Sequence, residues 1–501
     1  MPEKSLIIIG AGIAGLSAGC YAQMNGYSSR IYEMHTLPGG LCTSWQRKGY
    51  TIDGCIEWLV GSSPKHSYYR LWQEVGLIQG REIIYLDEMM QTVTRDGQTF
   101  TLYTDLDRLQ QHMLELSPED RPLIEDMIGA ARHFLSFDMP ADGPPSEMIG
   151  VLEKAKMMGR LLPHLPVLQK WSKVSLGELA QRFKSPLLRE AFESMWHPEM
   201  TSVFILITLA WLHDRAAGYP IGGSLPLARA VEQRYLNLGG QIHYKSRVAR
   251  ILVENDRAVG IRLENGQEER ADVVISAADG HATIFDMLEG KYVDDTVRQH
   301  YDKYTPFPPL VFVGLGVNRT FEDEPRRISG LRLALEQPLI LGDQTVTGVG
   351  VRINNYDPTL APAGKTSITA SFHTHYAYWK ALHADSEQYE AKKREIGDFI
   401  VGVLDKRYPG LAAQVEMVDV STPMTFEEYT GNWQASYEGW LPTPENAFSE
   451  MRKTLPGLDS FYMVGQWVAP GGGLPSGVKT ARDALQVLCK RDGIRFQARI
   501  D

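Results

Sequence analysis

Cysteine is scarce in this chain and scattered where it occurs: four in 501 residues, Cys20, Cys42, Cys55 and Cys489. No two of them make a C-x-x-C pair, so neither that redox motif nor a zinc ribbon is encoded, and a disulfide scaffold is excluded. Basic residues are outnumbered, 51 Lys and Arg against 61 Asp and Glu, and a net charge of -10 removes the broad cationic surface that a nucleic-acid partner needs. Long hydrophobic runs are missing as well. The most apolar window, TSVFILITLAWLH at residues 201–213, is shorter than the roughly 20 residues of a spanning helix and reads as a buried one. There is no G-x-S-x-G elbow and no Walker loop, so serine hydrolase and P-loop chemistry lack their motifs. No metal set is expected: His373 and His375 stand on one face if their segment is a strand, but without a carboxylate or cysteine at ligand spacing, and His197, before Pro198, reads as a helix-end residue. The N-terminus carries no charged-then-apolar leader, and the expected address is the cytoplasm.

Glycine is what the chain places with care. Residues 5–26, SLIIIGAGIAGLSAGCYAQMNG, run from an all-apolar strand into Gly10, Gly12 and Gly15, a G-x-G-x-x-G turn, and on into a helix whose Ala14, Ala18 and Gly19 predict close contact with the sheet. The first glycine makes the turn, the second lets backbone approach a pyrophosphate, and the helix N-terminus offers free N–H groups to the anion. A second strand, SSRIYE, ends in Glu33, eighteen residues after Gly15, where a carboxylate accepts from a ribose diol and repels a 2′-phosphate. These residues alone leave FAD and NAD both open. A second turn of the same form, GQWVAPGGGLPSGVKTAR, spans Gly465 to Arg482.

The stretch LPGGLCTSWQRKGYTIDGC decides between them, with Gly39-Gly40 just past the second strand, then Gly49-Tyr50 and Asp53-Gly54. Here the sequence resembles the flavin-dependent amine oxidase and phytoene desaturase superfamily, in which a glycine pair follows the ribose acid. Leu41 stands where an Arg is usual, and Asp-Gly-Cys replaces Asp-x-Gly. Residues 421–440, STPMTFEEYTGNWQASYEGW, resemble the carotenoid isomerase and retinol saturase branch, with Ala435 where a glycine is common. The resemblance implies an α/β fold, a Rossmann-like FAD-binding domain of glutathione reductase type with an inserted α+β substrate domain. Residues 1–90, 215–285 and 415–501 form the discontinuous FAD-binding part, and 91–214 and 286–414 the substrate part. Two domains also suit the length.

The resemblance further implies non-covalent FAD on Gly10, Gly12, Ala14, Gly15, Glu33, Met34, Gly39, Gly40 and Leu41, with the Val248 backbone at the adenine. The C-terminal turn, at Gly465, Gln466, Leu474, Pro475, Ser476 and Gly477, then forms the far wall of the same site rather than a second one. Its helix N-terminus would favour negative charge on the flavin. Between residues 220 and 281 a helix from about Leu225 to Leu238, a set of short strands and the apolar ADVVISA are expected to return to the sheet.

Cys55, Glu57 and Trp58 follow the Asp-Gly turn, where chains of this family pass the flavin ring. Glu57 is the candidate acid or base and Cys55 a candidate reactive thiol, against the plainer readings of a solvated carboxylate and a small buried sulfur. Trp58 and Trp467 are expected against the flavin, along an apolar tunnel, or in the core. The implied activity is hydride transfer at a C–C position of a long apolar isoprenoid or lipid, as desaturation, saturation or isomerisation, with a quinone, O2 or another electron acceptor. A flavin amine oxidase and a non-catalytic flavin-bound lipid carrier are the competing readings. Lys154, Lys156, Arg160, Lys170 and Lys173, mixed with Leu, Met and Val, read either as a peripheral contact with the inner face of an anionic membrane or, the favoured reading, as a core-packing helix pair broken at Pro163 and Pro166.

Overall fold

Leu6, Ile7 and Ile8 are wholly buried and Ile9 nearly so, as a strand covered on both faces requires. In the computed structural model, which describes residues 4–137, 141–449 and 451–500, this strand, Ser5–Ile9, is the centre of a five-stranded parallel sheet. The order is Gln241–His243, Ser28–Tyr32, Ser5–Ile9, Val273–Ser276 and Phe461–Met463, with Ile8 level with Ile31 on one side and Ile275 on the other. Three segments far apart in the chain thus meet in one Rossmann-like sheet. The antiparallel meander Val248–Glu254, Arg257–Leu263 and Glu268–Arg270 lies between two of them, as the sequence predicts.

The first helix, Ile13–Met24, is buried along nearly its whole length between the helix Ser224–Asn237 and the last helix, Gly473–Arg491. Its small residues serve these contacts: a Cβ on Gly19 would come within 2.7 Å of the Tyr235 ring. Gly19 therefore fits a neighbouring helix and not, as expected, the sheet.

A second sheet of seven strands runs in the order Val415–Ser421, Leu310–Val317, Thr366–His373, Gln344–Ile353, Arg327–Leu341, Glu88–Val93 and Thr99–Tyr103. Only the Arg327–Leu341 and Glu88–Val93 pair is parallel. The hairpin at residues 88–103 straddles the division drawn at residue 90, and Val415–Ser421 pairs with Leu310–Val317 rather than joining the parallel sheet. Alternating strands look alike in sequence whichever sheet receives them. The helix Ser386–Arg407 covers this sheet with Ile396, Ile400 and Leu404, and the helices of residues 106–213 form a layer with their own core. There the apolar window becomes the buried helix Val203–His213. No described helix is long and apolar enough to cross a membrane.

The basic segment departs from the favoured reading. Val151–Leu161 is a helix without a buried residue; Val151 is 89% and Leu152 70% exposed. The next helix, Leu165–Trp171, packs inward through Leu168 and Trp171. The break at Pro163 is as expected, but Pro166 stands in the first turn of the second helix, and of the first helix Leu161, at its end, is what touches a core.

Candidate functional site

The C-terminal ends of the parallel strands open onto a cavity of about 1550 Å³, which continues past the seven-stranded sheet into the helical layer. This is where open α/β sheets place their ligands. Gly10 lies at φ +94° and donates its N–H to the Tyr32 carbonyl at 2.8 Å, ending the strand in a turn that a side chain would strain. Gly12 caps the first helix, and Gly39 donates to the Ala11 carbonyl at 2.8 Å, so the two glycine segments lie side by side. A Cβ on Gly12 would meet nothing nearer than the Gly39 oxygen at 3.8 Å, and one on Gly40 only the Gly12 Cα at 3.5 Å. The space beside both is cavity, bordered by the unpaired N–H groups of a helix N-terminus, and it suits a pyrophosphate.

Gly10, Gly12, Ala14, Glu33, Met34, Gly39, Gly40, Leu41 and Val248 all line this cavity, as do Gly465, Gln466, Leu474, Pro475, Ser476 and Gly477 from the C-terminal turn. Gly15 does not: its Cβ position lies 1.9 Å from the Gly10 carbonyl oxygen, so it stands behind the turn and lets the helix close on it. The two turns are one site because the two helix starts touch, a Cβ on Gly477 falling 3.4 Å from the Ala14 nitrogen.

Cys55, Glu57 and Trp58 also line the cavity, on a loop held from below. Asp53, fully buried, accepts from the Ser224 hydroxyl at 2.7 Å and from the backbone N–H groups of Ser224, Cys55 and Ile56, while burial raises its pKa. Arg352 donates to the Ile56 carbonyl at 2.7 Å. Glu57 is partly buried, and its Oε2 accepts from the Ser329 hydroxyl at 2.5 Å. Trp58 stacks near Trp196, ring centres 6.3 Å apart. Trp467 is buried in a tryptophan group, 5.1 Å from Trp440. Cys42 and Cys55, too far apart in sequence for a C-x-x-C motif, meet here, and the Cys42 thiol is pushed well above its usual range, first by hydrogen bonding with Cys55 and then by burial.

Three cavity residues, Arg332, Tyr437 and Glu438, escape the sequence reading, and they stand with His197 and His373, read there as a helix-end and a strand residue. The His197 and His373 rings lie 4.1 Å apart, and His197 Nε2 is 3.2 Å from the Tyr437 hydroxyl. Burial lowers His197 to about 4 and drives His373 well below its ordinary value, so both rings are neutral at pH 7. His375 lies outside the strand and is exposed, so it shares no face with His373. Glu438 sits against the C-terminal turn, its Oε1 3.1 Å from where a Gly473 Cβ would be. Burial, aided by the Glu57 charge, pushes it up to about 8. Asp279, accepting from the N–H groups of Ala282 at 2.8 Å and Trp433 at 2.9 Å, is raised to about 7 by burial.

The family model for flavin containing amine oxidoreductase matches residues 13–488. Among curated proteins, the chain is 23% identical to a chloroplastic prolycopene isomerase of Daucus carota over 94% of this chain and 78% of that protein. It is also 23% identical to a lycopene-forming phytoene desaturase of Paracoccus sp., over 97% of each. Among solved structures, an oxidoreductase from Methanosarcina mazei superposes with a TM-score of 0.59 at 18% identity, covering 96% of this chain and 100% of that one. Cyclohexylamine oxidase from Brevibacterium oxydans gives 0.61 at 14% identity, covering 98% and 100%.

Proposed function

The chain belongs to the flavin containing amine oxidoreductase family, with FAD as its cofactor, and on that premise we propose that it acts on C–C bonds of a long apolar isoprenoid or lipid. The observation that carries this reading is the continuity of the cavity: one space runs from the glycine turns to walls formed by Trp58, Trp196, Phe204, Trp211, Phe307 and Phe312. Such a chamber gains by excluding water from an apolar chain. Similarity to a prolycopene isomerase and to phytoene desaturases supports the same substrate class.

The residues present fit FAD. Gly12 and Gly40 leave the room a pyrophosphate needs, Glu33 offers acceptor oxygens for a ribose, and the start of the last helix at Leu474–Gly477 closes the opposite side. Bound there, FAD supplies hydride acceptance and donation. The chain's own part is to hold the substrate dry between the aromatic walls, with Glu57 held by the Ser329 hydroxyl and Glu438 keeping its proton near neutral pH. Cys55 borders the same space as a candidate thiol. A quinone, O2 or another acceptor would complete the cycle.

The exposed helix Val151–Leu161 gives the apolar substrate a route. Leu152, Met157 and Met158 stand in solvent beside Lys154, Lys156 and Arg160, and Leu161, Leu165 and Leu168 continue into the cavity wall. An anionic bilayer surface matches that mixture, with the apolar side chains entering the headgroup layer and the cations pairing with lipid charge.

The test is the absorption spectrum of the purified protein, repeated anaerobically with a panel of apolar polyenes, and a separate assay in air with simple amines. Conversion of a polyene and no peroxide from the amines are expected. Peroxide release with amines and inertness toward polyenes would transfer the assignment to amine oxidation, which the cationic Arg332 in the chamber wall disfavours for a protonated amine.

A further inference from the structure

Two arginines, Arg352 buried and Arg332 half-buried, stand on neighbouring strands of the large sheet, and they are treated differently. Arg352 is saturated from within: it donates to the carbonyls of Ile56 at 2.7 Å and Asp53 at 3.3 Å and lies 4.0 Å from the Asp53 carboxylate. Arg332 is not. Its hydrogen bond among the described residues is a long one, Nη1 to the Ser329 carbonyl at 3.5 Å, and no described carboxylate lies within ion-pair distance. A guanidinium carries five N–H donors in a fixed fork, so most of its capacity is turned to the cavity that it lines.

The sheet makes room for that fork. Arg332 pairs across the strands with Gly350, and a Cβ on Gly350 would lie 2.4 Å from Arg332 Nη1. Only glycine allows the guanidinium to occupy that place. Among the described residues none pairs with it directly, although the Glu57 charge supports its own. Glu57 is engaged by the Ser329 hydroxyl, Tyr437 keeps its proton because burial and nearby Glu438 and Glu57 oppose ionisation, and His373 and His197 are neutral. Burial lowers the Arg332 pKa while Glu57 and Tyr437 hold it up, and an arginine so placed stays charged.

A guanidinium that faces a cavity with unfilled donors can take a carboxylate, which engages it through two parallel N–H···O bonds. We propose that Arg332 binds a carboxylate at the end of the apolar chain held in this cavity, so that the substrate is an amphipathic acid rather than a pure hydrocarbon. The proposal rests on the reading of the cavity as a substrate chamber and adds to it the chemistry of one end. The acid can come from two sources, a polyene or a saturated acyl chain, which share the carboxylate.

The experiment is equilibrium binding to the FAD-loaded protein, followed by quenching of tryptophan fluorescence, with retinoate, retinol and palmitate. Retinoate and retinol differ only at the terminal group. Wild-type protein is expected to bind retinoate at least about tenfold more tightly than retinol. Arg332→Gln should erase that margin while leaving retinol binding in place, and Arg332→Lys should restore part of it. Which acid binds more tightly distinguishes polyene from acyl chain, and loss of affinity for either acid in Arg332→Gln supports the assignment. Equal wild-type affinities for retinoate and retinol, or a margin that survives Arg332→Gln, would overturn it and leave the chamber intact. Should none of the three bind, the chamber reading falls and the proposal with it. The acid-against-alcohol comparison in wild-type protein stands even if the glutamine variant fails to fold.

Discussion

Glu33 reaches back over the first glycine turn, its Oε2 accepting a hydrogen bond from the Ala11 N–H at 2.6 Å. The other oxygen accepts from the His35 N–H at 2.7 Å, so the carboxylate is fixed in the cavity wall with lone pairs to spare for a ribose. Glu33→Gln keeps the size but turns one acceptor into a donor facing an N–H. FAD titrated into apoprotein should bind about tenfold more weakly, a loss of about 1.4 kcal/mol. Unchanged affinity would remove Glu33 from cofactor binding.

Gly12 and Gly15, at the start of the first helix, should fail in different ways. Gly15→Ala puts a methyl 1.9 Å from the Gly10 carbonyl oxygen and should cost about 1–3 kcal/mol of stability, read as a lower Tm of the apoprotein. Gly12→Ala meets no atom nearer than 3.8 Å and needs no unusual φ, so the apoprotein stability should change by about 1 kcal/mol or less. Its methyl instead enters the space assigned to the pyrophosphate, and FAD retention should collapse. Equal retention by Gly12→Ala and wild type would move the phosphates elsewhere.

Glu438 should leave a mark on the pH dependence of stability. Its pKa is raised from an ordinary 4.5 to about 8, so between those values the folded protein keeps a proton that the unfolded chain has released. Stability therefore falls as pH rises through that window, by about 1.4 kcal/mol per pH unit at most, and levels above pH 8. Glu438→Gln imitates the protonated side chain, so its Tm should decline less between pH 5 and 8 than that of wild type, as scanning calorimetry of the two apoproteins would show. Parallel declines would mean that Glu438 ionises normally. His197 works in the opposite sense, since its contribution is present above its ordinary 6.5 and is lost as pH falls to about 4.

The helix Val151–Leu161 makes a prediction about lipid. The protein should float with vesicles of phosphatidylglycerol and phosphatidylcholine at low salt and less so at high salt, because charge attraction is screened. Leu152, 70% exposed, offers a substitution that should not unfold the protein, and Leu152→Glu should reduce flotation several-fold. Protein that stays at the bottom under every condition ends the idea.

The parallel sheet and its first turn are legible because each is written in consecutive residues. Leu6 to Ile9, then Gly10 and Gly12, keep in space the spacing they have in the chain. The polar group of the chamber is not written that way. His197, Arg332, His373 and Tyr437 come from four distant places, and each alone is an ordinary residue of a helix end, strand or loop. Cys42 and Cys55 escape for the same reason, since a local spacing rule cannot see a hairpin that folds them together. The basic helix fails differently: an amphipathic pattern is identical whether its apolar face meets a core or is left bare, and only Val151 and Leu152 in solvent decide which.

The contact between Ala14 and Gly477 has a consequence for biosynthesis. One wall of the site is formed around Ala14 and the opposite wall around Gly477, with the strand Phe461–Met463 of the parallel sheet just before it. A nascent chain still short of that strand owns the glycine turn that greets a nucleotide but nothing to enclose one. Enclosure of a flavin therefore waits until the chain has been made past Gly477.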